Sequence, residues 1–230
     1  MDRLVSDHDM LSPEFFDVMG VLSRLDVRAS SVWVSHLATR EKLNQLASTP
    51  WTDPDLDRYA NKSRMKEVGA ATMNYMAFTA ESLYSGLATS LEDFWIDLRR
   101  TGRVKYDIWK SPLQPVNLQE AKIVRSIGNV IKHNQSILER KSEAAKFLVE
   151  NAGFPNGVEL KMLFISDDER LKTADMTYLI YLYCLDLLKL TMSFAHPVLA
   201  LAEPDRRMHV FEHLVPPLLG LSPVQRNLAG

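Results

Sequence analysis

The chain has 230 residues, 46% of them hydrophobic, with a formal net charge of −2. That length suits one domain or one domain with extensions, and the balanced charge excludes a generally basic nucleic-acid-coating protein, so any RNA site has to be a local patch. One cysteine, Cys184, excludes an internal disulfide and fits a reducing, cytoplasmic setting.

The N-terminal stretch MDRLVSDHDM has no apolar core and does not read as a secretory signal. Ser12-Pro13-Glu14 is a helix start, with a cap residue, a proline at the first helical position and an acid in the first turn. Phe15, Val18, Met19, Leu22 and Leu25 follow at helical spacing. A second helix is expected over about residues 31–46, carried by Trp33, Val34, Leu37 and Leu43. Ala47 to Pro54 is a loop, with two prolines and several cap-type residues.

One very long helix is then expected, capped by Asp53 or Asp55. From Leu56 to Leu98 the apolar residues keep a 3.6-residue period until Arg99-Arg100-Thr101-Gly102 ends it. Gly69, Ala70, Ala71, Gly86 and Ala88 leave room for a partner helix, from this chain or from a second copy. Residues 104–116 are irregular, with Trp109 and Tyr106 as anchors.

The stretch 117–140, NLQEAKIVRSIGNVIKHNQSILER, carries the most information. Asn117 and Glu120 have the spacing of a capping box. Ile123, Val124, Ile127, Val130, Ile131, Ile137 and Leu138 mark an inward face. Arg125, Asn129 and His133 recur every four residues on the other side, with Lys122, Lys132, Ser136 and Arg140 near them. Asparagine is a poor helix former, yet Asn129 and Asn134 flank His133. Together these side chains offer donors suited to a phosphate or a developing oxyanion.

Lys141–Glu150 is expected to continue helical after a bend, and Gly153–Gly157 to form a turn. Val158–Ile165 alternates partly, as a short strand would, but with no second strand in sight it reads as an ordered connection. A strongly apolar helix runs from Thr173 to about Ala195; Asp186 and Lys189 within it argue against a membrane span. Cys184 lies in that helix and reads as a packing residue. His209-x-x-Glu212-His213 has a literal zinc-protease spacing, but only 17 residues follow it and none is acidic. A short amphipathic helix is therefore the reading there, with no metal. No cofactor-binding motif is present. Three segments result: an N-terminal helical extension over 1–50, a helical body over 51–203, and a short helix with an extended tail over 204–230. The fold class is all-α, an antiparallel helical bundle with one very long helix and short irregular connections.

RSIGNVIKHN resembles the signature helix of the HEPN superfamily, all-α proteins of bacterial and archaeal toxin–antitoxin and phage-defence systems. Many members are metal-independent ribonucleases. Their motif is Arg, four to six residues, then His, often with Asn directly after the Arg. Asn129 and His133 match its second half. Gly128 stands where the adjacent Arg belongs, and seven residues separate Arg125 from His133, one more than the motif's upper limit. Thr89–Trp95 resembles the preceding HEPN helix, with Glu92 at its acidic position. The resemblance covers about residues 65–195.

It implies a homodimer, RNA as substrate and a cognate antitoxin or other protein as partner. His133 would exchange a proton with a ribose 2′-OH, Arg125, Lys132 and Lys122 would hold phosphate, and Asn129 and Glu92 would orient the histidine. The competing expectation is a non-catalytic module of the same fold, which uses the polar stripe for dimerisation or for binding RNA or protein.

Overall fold

The computed structural model describes residues 13–48, 50–101, 118–166 and 168–195. The described residues are all-α: α1 is Pro13–Ser48, α2 Arg58–Arg100, α3 Leu118–His133, α4 Glu143–Glu150, α5 Leu160–Ile165 and α6 Thr173–Ala195, with a single 3-10 turn at Glu169–Leu171. Asn117, the 104–116 connection with Trp109 and Tyr106, His209, Glu212, His213 and the tail lie outside the described residues.

α1 is one helix of 36 residues, not two. Nothing between Leu25 and Ser31 breaks it: the stretch has no proline or glycine, Ala29 is buried and Arg28 is held by ion pairs. α2 runs unbroken for 43 residues. Its cap is Asp57, not Asp53 or Asp55, because the Asp57 carboxylate accepts from the amides of Tyr59 and Ala60, both at 2.8 Å. Asp53 is used otherwise. Its amide donates to the Asn61 side chain at 2.7 Å, and the Asn61 amide group donates back to its carbonyl at 2.8 Å, which folds the 50–57 loop onto the start of α2.

The helices divide between two compact units. One holds residues 13–31, 89–101, 118–121 and 178–195 of the described chain. Its buried side chains include Val21, Leu25, Leu91, Phe94, Leu98, Tyr183, Cys184 and Leu188. Burial pushes the Cys184 thiol far above its ordinary value, so it packs as an apolar group. A charge cluster pins α1 to α2 here. Asp97, almost fully buried, accepts from Arg24 Nε at 2.8 Å and from Arg28 at 3.1 Å, while Arg28 also reaches Asp93 at 3.4 Å. Burial alone would raise the Asp97 carboxyl; the two hydrogen bonds and charges of Arg24 and Arg28 outweigh it and hold the group below its ordinary value.

The second unit holds residues 32–88 and 122–177. Tyr84 and Phe164 stack with centroids 5.4 Å apart. Leu83, Leu87, Val124, Ile127, Val130, Leu138, Leu148 and Leu160 are buried in the same unit.

Residues 158–165 form no strand, in keeping with the reading as an ordered connection, though most of the segment is helical. A single antiparallel bridge joins Ile137 to Glu159, and the chain turns at once into α5. A lone extended segment has no partner strand to satisfy its backbone. What forms instead is a clasp: Leu138 donates to Val158 at 2.9 Å, Gly157 to Leu138 at 2.8 Å and Leu160 to Ser136 at 2.7 Å. Gly157, with φ +78°, and Gly153, with φ +72°, supply the left-handed positions the intervening turn requires.

Candidate functional site

α3 carries the stripe. Ala121, Val124, Ile127 and Val130 recur every three residues and are fully buried. The opposite side carries Lys122, Arg125, Asn129, Lys132 and His133, which a 100° turn per residue places within an arc of about 100°. Arg125, Lys132 and His133 are exposed; Lys122 and Asn129 are half-buried. From Arg125 to His133 is about 12 Å along the axis, at about 1.5 Å per residue. No acid occurs between Ala121 and Leu138, so this stretch of α3 and its exit turn is cationic throughout.

The helix stops at His133, short of the expected Arg140. Gln135 and Ser136 take φ of +50° and +63°, a left-handed reversal uncommon for residues other than glycine. The Ser136 amide reaches back to the Val130 carbonyl at 3.2 Å, closing the helix end. The reversal has an identifiable return. Ile137 and Leu138 still pack inward, with Leu138 fully buried, while Asn134 donates to Ser142 Oγ at 2.8 Å and Ser142 caps α4 by accepting from Ala145. Ser136 and Arg140 therefore leave the stripe: Ser136 is buried in the turn, and Arg140 pairs with Glu150 at 3.9 Å.

Position 128 is closely packed against α2. A Cβ built on Gly128 would lie 2.4 Å from the Cβ of Ala88 on α2. The two helices cross at backbone contact, and nothing larger than hydrogen fits between them. The position that the HEPN motif fills with arginine is thus a helix-crossing point in this chain. Of the other small residues on α2, a Cβ built on Gly86 would lie 3.7 Å from Val32 and one built on Gly69 3.7 Å from the Trp51 ring, both at ordinary contact distance.

The stripe thus gathers Lys122, Arg125, Asn129, Lys132 and His133 on one helix of the second unit. Glu92 is half-buried on α2, in the stretch that belongs to the first unit. Lys132 and His133 also occupy the last turn of α3, where the helix dipole favours cations whatever else they do. Among the described residues, no group of three or more His, Cys, Asp or Glu side chains is placed to hold a metal, and no helix is long and apolar enough to cross a membrane.

Two features were not anticipated from the sequence. The Arg24/Arg28 and Asp93/Asp97 pairs, each spaced i, i+4, carried a signal that two helix faces would meet. The Gly128–Ala88 crossing carried none, since one glycine inside a helix does not name the residue it touches. Compared with known proteins, the chain matches no family model, no curated protein and no solved structure.

Proposed function

We propose that the chain is a non-catalytic, HEPN-like helical binding module that holds RNA on the cationic stripe of α3 without cutting it. The observation that carries the non-catalytic reading is the Gly128–Ala88 crossing. The motif's arginine, which would stabilise charge on the scissile phosphate, is excluded from its position by the packing that holds α3 in place. Arg125, one turn earlier, is the remaining arginine of the stripe. The acid-free run from Ala121 to Leu138 supports a polyanionic partner, since phosphate neutralisation dominates nucleic-acid affinity. A bacterial defence or toxin–antitoxin role, a cytoplasmic location and a cognate protein partner belong to the same proposal.

One observation favours the ribonuclease instead. His133 is exposed, with Asn129 one turn before it on the same face, so a substrate can reach the imidazole.

The test uses full-length protein and a labelled structured RNA in chelator. Anisotropy across a salt series should show binding that weakens as salt rises. Arg125→Glu with Lys132→Glu should weaken it by about tenfold or more, which is about 1.4 kcal/mol, and a cleavage gel should show intact RNA. Chelator-resistant cleavage that disappears in His133→Ala would return the ribonuclease reading. Failure of the unmodified protein to bind RNA at low salt would remove the role given to the stripe.

A further inference from the structure

The start of α2 projects beyond its neighbour. A Cβ built on Gly86 would lie 3.7 Å from Val32 on α1, and the short link between the two helices makes them antiparallel. Counting outward from that contact at equal rise, Ser48 at the end of α1 comes about level with Ala70. Residues 58–69 of α2 therefore run on past α1 for about 18 Å. The 50–57 loop folds back along this overhang. The Asn61 side chain holds the loop at Asp53 and at the Leu56 carbonyl, 2.9 Å away, and Arg64 pairs with Asp53 at 3.4 Å. So held, the loop lays the half-buried Trp51 ring against the helix, 3.7 Å from where Gly69 would carry a Cβ.

Residues 58–66 carry four cations and no acid. Arg64 is turned to the loop. Arg58, Lys62 and Lys66 are exposed, and none of the three pairs with a described residue. They stand at i, i+4 and i+8, a row of like charges about 6 Å apart along the axis. Such a row opposes helix formation, because cations at i, i+4 repel each other and cations in the first turn oppose the helix dipole. An anion laid along the row reverses both effects. Tyr59 shares the face: at 100° per residue Arg58, Tyr59, Lys62 and Lys66 fall within an arc of about 100°. Its ring is 84% exposed. Trp51, level with Gly69, closes the other end of the row, so two aromatic rings about 15 Å apart along the axis bracket Lys62 and Lys66.

We infer that this face binds an unpaired RNA segment, with a base stacked on Tyr59, a second base against the Trp51 edge, and backbone phosphates on Arg58, Lys62 and Lys66. Cations that track a backbone beside rings that take bases are the two parts of a single-strand site. A duplex keeps its bases stacked inside and offers the rings nothing. An acidic peptide would engage the cations and leave the rings unused. A membrane-surface helix segregates its apolar and charged faces, whereas here Tyr59 and the cations share one. The site stands on its own residues; the choice of RNA as its nucleic acid rests on the reading of α3 given above.

The test is anisotropy of a labelled uridylate 20-mer and of a labelled blunt RNA duplex with the full-length protein, with circular dichroism to verify folding. Tyr59→Ala should weaken strand binding by about tenfold and leave duplex binding unchanged, and Tyr59→Phe, which keeps the ring, should bind as the parent does. Lys62→Gln with Lys66→Gln should lower the log–log salt slope for the strand by about 1.4. If Arg125→Glu with Lys132→Glu abolishes strand binding while Tyr59→Ala leaves it intact, this inference falls and the α3 reading stands. If the Tyr59 and lysine variants weaken the strand and the α3 variant does not, this inference stands and the role given to the stripe falls. Equal losses for strand and duplex in Tyr59→Ala overturn the stacking. So does Tyr59-dependent sedimentation with phosphatidylserine vesicles in a protein that binds no strand.

Discussion

Gly128→Ala is the sharpest probe of the structure. On an isolated helix the change is favourable by about 1 kcal/mol. Here the added carbon arrives 2.4 Å from the Ala88 Cβ, against a comfortable carbon–carbon separation of about 3.5–4.0 Å. Neither carbon can rotate away, since each is fixed to its own backbone, so α2 and α3 must part by an ångström or more. Overpacking of that kind costs about 1–3 kcal/mol, and the rigidity of both atoms puts this site at the upper end. Set against the propensity gain, the net loss is about 1–2 kcal/mol, a fall in Tm of about 3–6 °C for a chain of this size. Gly128→Arg, which would restore the motif's arginine, should cost well over that. The assay is thermal and urea unfolding of Gly128→Ala, Ala88→Gly and the double variant. The double variant removes the collision and exchanges one propensity for the other, so it should recover close to the parent Tm. If Gly128→Ala raises Tm by itself, the close crossing is refuted, and with it the main support for a non-catalytic module.

Asp97→Ala should destabilise the first unit by about 2 kcal/mol, less than the 3–5 of a fully buried pair because Arg24 is half-exposed and can rehydrate. The folded carboxyl titrates below its ordinary value of 3.8, so its contribution is complete above that pH and is lost as pH falls through the lower folded value; urea titrations of Asp97→Asn and the parent should converge in acid. Ser142→Ala removes both the cap of α4 and the acceptor for Asn134, a loss of about 1 kcal/mol or somewhat more by urea unfolding. For His36, burial and then the charge of Arg40 lower the imidazole below its ordinary 6.5, with Asp175 opposing. The unfolded state therefore binds the proton more readily, and stability contributed by the neutral ring is lost as pH falls below 6.5. His36→Gln should flatten the acid limb of the stability–pH curve, and an unchanged slope would remove His36 from that account.

Helix existence was legible wherever the apolar period ran long. α2 and the inward face of α3 follow directly from their spacing, and α6 from a run that is apolar almost all round. Junctions were less legible, for definite reasons. α1 was read as two stretches, to Leu25 and from about residue 31, but Arg28 and Ala29 make their contacts from within a continuous helix. The end of α3 at His133 hinges on two residues other than glycine in left-handed conformations, which turn chemistry would have assigned to glycine or asparagine. The clasp between 136–138 and 157–160 was half-visible, since the extended character of 158–159 was read, but a single bridge has no strand periodicity to announce it. At the candidate site, the shared face of Arg125, Asn129 and His133 was legible because helical spacing alone fixes it. The reason Gly128 is glycine was not, because the atom it meets lies 40 residues away in the chain.

The clasp has a consequence for amide hydrogen exchange. The amides of Ser136, Leu138 and Gly157 sit in irregular backbone and that of Leu160 only opens α5, yet all four are bonded, and the Leu138 and Leu160 side chains are fully buried. The amides of residues 33–76 are mostly helical, but no described side chain over that stretch is buried. Exchange follows the free energy of local opening rather than the regularity of the backbone. A monomer's protection map should therefore invert the ribbon drawing, with long-lived protons in the turn beside His133 and rapidly deuterated ones along the second half of α1 and the first half of α2.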